Sequence, residues 1–277
     1  MNTAAVRTEA LNVYPVKSCA GIAREQVALE SAGFAGDRRW LVVSDTGRFR
    51  TQREFPRLAL IRTALDEQEL RLSAPGAGEV RVPLARQAAP MTLEVRIWND
   101  HCAAEDEGME AARWLFDFLG VHSRLVRFAP HAVRHSDPKW SGRADAEVRF
   151  ADAFALLILS DASRAAVERA LNTPVPMNRF RPNIVLSGLE PFGEDEIAEL
   201  RTPQITLRLV KPCLRCAITV TDQERGERDA VPLILEWLGE HRWSSELNGA
   251  CFGYNAIIER GVGQNLAIGT SWQVIRR

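Results

Sequence analysis

No stretch of this 277-residue chain is apolar for long enough to cross a bilayer. The longest wholly apolar run, around Phe154 to Leu159, falls far short of the roughly 20 residues a spanning helix needs. Charge of either sign is barely in excess: 35 Lys and Arg stand against 36 Asp and Glu, a net of −1. That balance gives no electrostatic footprint for nucleic acid or an anionic membrane, although local clusters of cations leave small anions open as ligands. Cysteine is scarce and odd in number, with Cys19, Cys102, Cys213, Cys216 and Cys251 at irregular spacings. A disulfide framework is not expected from that pattern, and a reducing cytoplasmic setting is. The N-terminal "MNTAAVRTEALNVYPVK" lacks an apolar core, so no secretory signal is expected. There is no Gly-rich phosphate loop, no G-x-G-x-x-G and no G-x-S-x-G, and neither repeats nor low-complexity linkers occur.

What the chain does contain is alternation. "ALNVYPV", "WLVVSDTGRFRT", the two halves of "LRLSAPGAGEVRVPL" and "TLEVRIW" carry period-two apolar patterns or hairpin turn signals. "DEGMEAARWLFDFLG" predicts a helix with Asp106 and Glu107 at its positive end and Gly120 as its stop. Residues 129 to 152 are polar and carry Pro130, Pro138 and Gly142, which predicts a long loop, either the edge of an active site or a mobile flap. Beyond it, "FALLILS", "FRPNIVLSG", "ITLRLVKP" and "CAITVTD" read as strands, "SDASRAAVERALN" and "AVPLILEWLGEHR" as helices, and the last thirty residues as strands. Helices inserted irregularly among many strands make an α+β, strand-rich protein, of a length suited to one large domain or two smaller ones.

The chemistry concentrates in "KPCLRCAITVTD", residues 211 to 222. Cys213 and Cys216 stand three apart beside Lys211 and Arg215. A zinc site needs four ligands, and no second cysteine pair or finger-like histidine spacing completes one from His101, His122, His131, His135 or His241. A redox pair favours a helix N-terminus, whereas this pair precedes a predicted strand. Two buried small hydrophobes are the plainest alternative. Flanking cations favour a thiolate, which leaves a fourth: one cysteine donates to the metal of a cofactor held elsewhere by basic groups.

Five segments in order resemble one family. "KPCLRCAITVTD" is similar to the cysteine motif of MOSC-domain proteins. "YPVKSCAG" (Tyr14 to Gly21) and "GDRRWLVV" (Gly36 to Val43) are similar to blocks of the N-terminal β-barrel domain found with it, and "RFRPNIVLSG" (Arg179 to Gly188) and "CFGYNAI" (Cys251 to Ile257) to further MOSC blocks. The resemblance runs from about Leu11 to the C-terminus. It implies a MOSC β-barrel domain over residues 96–277 packed with an N-terminal β-barrel-like domain over 1–95, with parts of the two interleaved. Among these proteins the chain most resembles the amidoxime-reducing group. That implies a molybdenum-molybdopterin cofactor and reduction of small N-hydroxylated compounds (amidoximes, hydroxylamines, N-hydroxylated bases) by N–O bond cleavage at molybdenum ligated by Cys216. A cofactor carrier or sulfur-transfer module is the alternative the family allows.

Carried over residue by residue, the resemblance assigns the metal to Cys216 and cofactor contacts to Lys17, Ser18, Arg38, Arg181, Asn183 and Arg215. Some relatives carry a C-terminal iron–sulfur ferredoxin domain, for which no cysteine cluster is present here. The expected electron donor is therefore a separate protein: a ferredoxin, a flavodoxin, or a cytochrome b5-like protein with its reductase. Leu214 stands where relatives often carry Ser. The residue types suit an anionic pterin phosphate, since Lys17 supplies a point charge and Arg38 and Arg181 bidentate forks. Arg181, in the apolar run "FRPNIVL", calls for a partner. Asn183 suits scaffold and cofactor contact equally. No general acid is assigned from the sequence: Asp222, at the end of the motif, is a candidate and also suits a turn before "QERGE"; His131 and His135 are loop histidines that reach a pocket edge or solvent; Cys251 is expected in the core.

Overall fold

A computed structural model describes residues 5–86 and 88–277. Its largest element is a nine-stranded sheet, built around the Leu156–Ser160 strand. That strand is buried along its whole length, as a continuous apolar run must be when neighbours cover it on both faces. On one side it pairs in parallel with Ile184–Ser187, and on the other antiparallel with the long Gly249–Arg260 strand. The Asp161–Leu171 helix makes the parallel crossover and starts at Ser160, whose hydroxyl accepts from Ser163 N. Arg7–Val13 continues the sheet beyond Ile184–Ser187. Thr206–Leu214, Ile197–Arg201 and Gln273–Arg276 continue it beyond the long strand.

The two ends of this sheet meet. Thr8 N donates to Thr270 O at 2.9 Å and Trp272 N to Val6 O at 2.9 Å. This closes the sheet around a core that includes Leu11, Phe34, Ile158, Leu207 and Trp272, and closure removes the open edges. A second, four-stranded sheet joins Trp40–Val43, Arg124–Phe128, Asp100–Asp106 and Thr92–Ile97 in that order. The Met109–Leu119 helix packs with the three strands Arg62–Leu65, Glu69–Ala74 and Gly78–Pro83, where Leu70, Leu72, Val80 and Val82 face one core. The boundary at 95/96 falls inside the Thr92–Ile97 strand.

Four element expectations need correction. "CAITVTD" is strand only at Thr221–Asp222, which pairs with Glu227–Arg228: the Thr206–Leu214 strand ends before Cys216, and a short 3-10 turn follows at Ala217–Val220. Thr219 drives the turn, its backbone N and hydroxyl both donating to Cys216 O at 3.0 and 2.9 Å. In "FRPNIVLSG" only Ile184–Ser187 is strand, because Pro182 has no N–H for a ladder and Arg181 takes a left-handed φ of 56°. The helix expected from Asp106 begins at Met109. Asp106 instead closes a strand whose small and charged residues gave no alternation, and its carboxylate accepts from Gly108 N. Residues 129–152 are not structureless, since they hold the Pro138–Ser141 helical turn and are pinned from within by Arg134. That buried guanidinium donates to the carbonyls of Arg149, Ala151 and Asp152.

Candidate cofactor and active site

The strand ending at Leu214, the loop before Ile184 and the loop around Lys17 converge on one cavity. It is lined by Lys17, Ser18, Arg38, Arg181, Asn183, Arg215 and Cys216, so all seven sequence-predicted residues come together. Their sequence separations are large, and the closed sheet brings them into reach. Arg53 and Arg179 also line it, giving six cations against the single carboxylate of Asp152. Such a cavity favours an anion.

Three of the seven residues hold left-handed backbones without being glycine: Ser18 (φ 68°), Arg38 (φ 43°) and Arg181 (φ 56°). Conformations of this kind persist only where the surroundings impose them, and they collect at functional sites. Here the surroundings are visible. The Arg38 and Arg181 guanidinium groups each lie 4.3 Å from the ring of Tyr14. Arg38 Nη1 donates to both Asp37 oxygens (2.9 and 2.6 Å) and to Asn183 Oδ1 (2.9 Å), and its Nη2 donates to Arg181 O (3.2 Å). Arg181 Nη1 donates to Cys19 O at 2.6 Å, whereas its Nη2 is buried without a partner among the described residues. Burial lowers the Arg181 pKa to about 10, which leaves it a cation at neutral pH. Ser18 is buried, with its carbonyl accepting from Gln52 Nε2 at 2.7 Å.

Lys17 Nζ donates to Asp152 Oδ1 at 2.7 Å. Burial lowers its pKa to about 8, against the raising effect of Asp152. Burial works to raise the Asp152 pKa, but Lys17, Arg53 and the Trp98 indole together outweigh it and hold the carboxyl below the usual carboxylate range. Asn183 is fully enclosed. Its Oδ1 accepts from Leu157 N (3.1 Å) as well as from Arg38, and its Nδ2 donates to Asn12 O (3.2 Å). Its amide therefore ties three segments together at the cavity wall.

The two cysteines of the motif differ. Cys216 is half-buried, and its sulfur accepts a hydrogen bond from Arg53 Nη1 at 3.2 Å. Cys213 also lines the cavity but is a neutral thiol, its pKa pushed up by burial. Arg215 commits its guanidinium to main-chain carbonyls, Phe252 O (2.7 Å from Nε) and Phe180 O (3.0 Å). Lys211 lies against the Trp140 ring at 4.9 Å and does not line the cavity. The cation at the sulfur is thus neither motif neighbour but Arg53. It lies in "TQREFPRL", a stretch with no periodicity or spacing to mark it. Asp222 closes a turn, accepting from Glu224 N and Arg225 N at 2.9 Å each, and lies outside the cavity lining, as do His131 and His135. Leu214, 43% exposed, lines the cavity mouth, and Cys251 is in the core as expected. All five cysteines are free, and among the described residues no group of three or more His, Cys, Asp or Glu side chains is disposed to hold a metal. The zinc alternative therefore has no ligand set there.

Residues 5–122 match the family described as the MOSC N-terminal beta barrel domain, and residues 145–236 match the MOSC domain. Mitochondrial amidoxime-reducing component 1 of Mus musculus is 32% identical over 248 residues, covering 87% of this chain and 73% of its own. The chain belongs to the MOSC-domain family. This MOSC protein is also 33% identical to mitochondrial amidoxime-reducing component 1 of Homo sapiens, over 77% of its own length and 66% of the human chain's. Molybdenum cofactor sulfurase of Danio rerio is 29% identical over 80% of the present chain, which spans 29% of the sulfurase. No helix of the MOSC protein, among the described residues, is long and apolar enough to cross a membrane.

The fit of a molybdenum-pterin cofactor can be judged on the residues themselves. One half-buried sulfur with a cation at hydrogen-bond distance is a suitable single donor to a metal already carrying a soft chelate. Among the described residues, the buried Nη2 atoms of Arg181 and Arg53 lack partners, as donors awaiting an anionic or polar ligand would. The residues present fit the group.

Proposed function

We propose that this protein is a molybdenum-cofactor-dependent oxidoreductase that reduces N-hydroxylated compounds such as amidoximes. The observation that carries the reading is the convergence of Cys216 with Lys17, Arg38 and Arg181 on one cation-rich cavity, in a chain akin to proteins named for amidoxime reduction. When bound, the cofactor would supply two-electron redox chemistry at molybdenum. Arg181, Arg38 and Lys17 would hold its anionic pterin part, and Cys216 would ligate the metal. Arg53 Nη1 fixes the position of the sulfur, and Asn183 keeps Arg38 in place from behind. Lys17 Nζ keeps its proton at neutral pH and holds Asp152 as a carboxylate beside it. The overall reaction takes two electrons and two protons. It breaks the N–O bond and releases an amidine and water. A separate protein would deliver the electrons.

The test is expression in a cofactor-producing host, followed by metal and pterin analysis and reduction of benzamidoxime with an artificial electron donor. Bound molybdenum and pterin, turnover of benzamidoxime and its loss in Cys216→Ala are expected. Cofactor binding without turnover would favour a carrier or sulfur-transfer module, and full activity in Cys216→Ala would overturn the ligand assignment.

A further inference from the structure

A cleft separate from the Cys216 cavity shares none of its lining residues. Two chain segments divide between them. Arg38 lines the cavity and Arg39 the cleft; Ala151 and Asp152 line the cavity and Arg149 the cleft. The cleft measures about 650 Å³, within the range of about 300–1,000 Å³ that holds small organic ligands. Part of its wall is apolar, with Leu29, Phe128 and Pro130 joined by Val133 and Val262, both well exposed. Arg39, Arg86, Arg134 and Arg149 also line it, against the carboxylates of Glu30 and Glu147. Most of these charges are answered. Arg149 pairs with Glu30, Arg86 with Glu105, and Arg134 with Asp100 at 2.6 Å. Arg127, a charged neighbour of Arg39, pairs with Glu107 at 2.6 Å, and Glu147 accepts from Ser31 Oγ at 2.5 Å. Arg39 has neither an ion pair nor a side-chain hydrogen bond among the described residues; its half-buried guanidinium lies 5.5 Å from the Trp40 ring. Burial, Arg127 and Arg149 lower its pKa, and Glu30 opposes them without restoring it. A cation is thus held among other guanidinium groups with no counter-charge of its own, an arrangement that a bound anion relieves.

We propose that this cleft binds a small amphipathic carboxylate, with the carboxylate on Arg39 and the apolar body against Phe128, Pro130, Val133 and Val262. A guanidinium fork matches a carboxylate through two parallel hydrogen bonds. One uncompensated cation calls for a monoanion, and the apolar wall calls for a hydrocarbon body rather than a bare inorganic ion. Because the cleft and the Cys216 cavity have no lining residue in common, binding here needs neither molybdenum nor the proposed reaction.

Calorimetric titration of the full chain with octanoate, acetate and 1-octanol tests the site without any activity measurement. Octanoate is expected to bind at least about tenfold more tightly than acetate, which lacks the tail, and than 1-octanol, which lacks the charge. Arg39→Gln should cut octanoate affinity about tenfold, as loss of a charge-assisted hydrogen bond does, and Arg39→Lys should keep part of it. Val262→Asp, at an exposed position of the lining, should weaken octanoate binding by adding a like charge. Thermal melts separate lost binding from lost folding, and Arg39→Gln is expected to melt no lower than wild type because it removes a cation from among like charges. No octanoate binding, unchanged octanoate affinity in a folded Arg39→Gln, or 1-octanol binding as tightly as octanoate overturns the carboxylate site. Acetate or inorganic phosphate binding as tightly as octanoate removes the part given to the apolar wall and overturns it as well.

Discussion

Asn183 and Lys17 carry opposite kinds of residue-scale information. The Asn183 amide answers the backbone N–H of Leu157, the Arg38 guanidinium and the carbonyl of Asn12. Asn183→Ala should therefore destabilise the cofactor-free protein by about 1–3 kcal/mol, because buried groups lose their partners. Urea titration measures this, and a negligible change would limit Asn183 to contact with the cofactor. Lys17 is marked by titration. Its pKa is about 8 in the fold and 10.5 unfolded, so the unfolded chain binds more protons between those values. Stability from this group is accordingly lowest below about pH 8 and rises as pH increases towards 10.5. Wild-type unfolding free energy minus that of Lys17→Met should climb across that window, and a flat difference would contradict the assignment. From the sequence, Lys17 is legible as a cation and Asn183 as an amide. Their partners Asp152 and Leu157 lie more than 100 and more than 20 positions away and leave no mark in the local pattern.

At the scale of elements, the long Gly249–Arg260 strand is the hinge between motif and core. It pairs with Leu156–Ser160 on one side and with the motif strand on the other, where the register shifts between Leu209 and Lys211 and between Pro212 and Leu214. Gly253 makes those irregularities workable. Its φ is 71°, and an added Cβ would lie 2.7 Å from Ile158 O and 3.1 Å from the Leu159 side chain. Gly253→Ala should cost about 1–3 kcal/mol through backbone strain alone, with the Ile158 clash adding to it. A lowered denaturation midpoint checks this, and an unchanged midpoint would mean the strand relaxes freely. The strands and helices with strong periodicity were legible in sequence: "FALLILS", the paired runs of "LRLSAPGAGEVRVPL" and the Ser160-capped helix. The cavity-forming segments were not, because they break period. Arg181 and Cys216 stand just outside strands, held by tertiary contacts that override the propensity of "FRPNIVL" and "CAITVTD".

For the whole molecule, closure of the large sheet depends on residues 270–272 returning to the first strand. Trp272 is buried there, with Nε1 donating to Thr8 Oγ1 at 2.9 Å. Trp272→Ala should lower unfolding free energy by about 3–5 kcal/mol, as loss of a buried aromatic with its cavity term does, read from the denaturant midpoint. A loss under about 1 kcal/mol would mean that closure does not depend on the ring. Sequence alone determined the strand-rich α+β class, the α+β order of the periodic segments, and, through five blocks in order, the MOSC family and the seven residues that share one cavity. Each of these is written in residue type and spacing. Only the tertiary structure decided that Arg53 rather than Lys211 or Arg215 meets the Cys216 sulfur, that Asp152 faces Lys17, and that the Trp98 indole donates to Asp152. These pairings join segments far apart in the chain. They arise from the closure and packing of the sheets, and no local pattern encodes a contact of that kind.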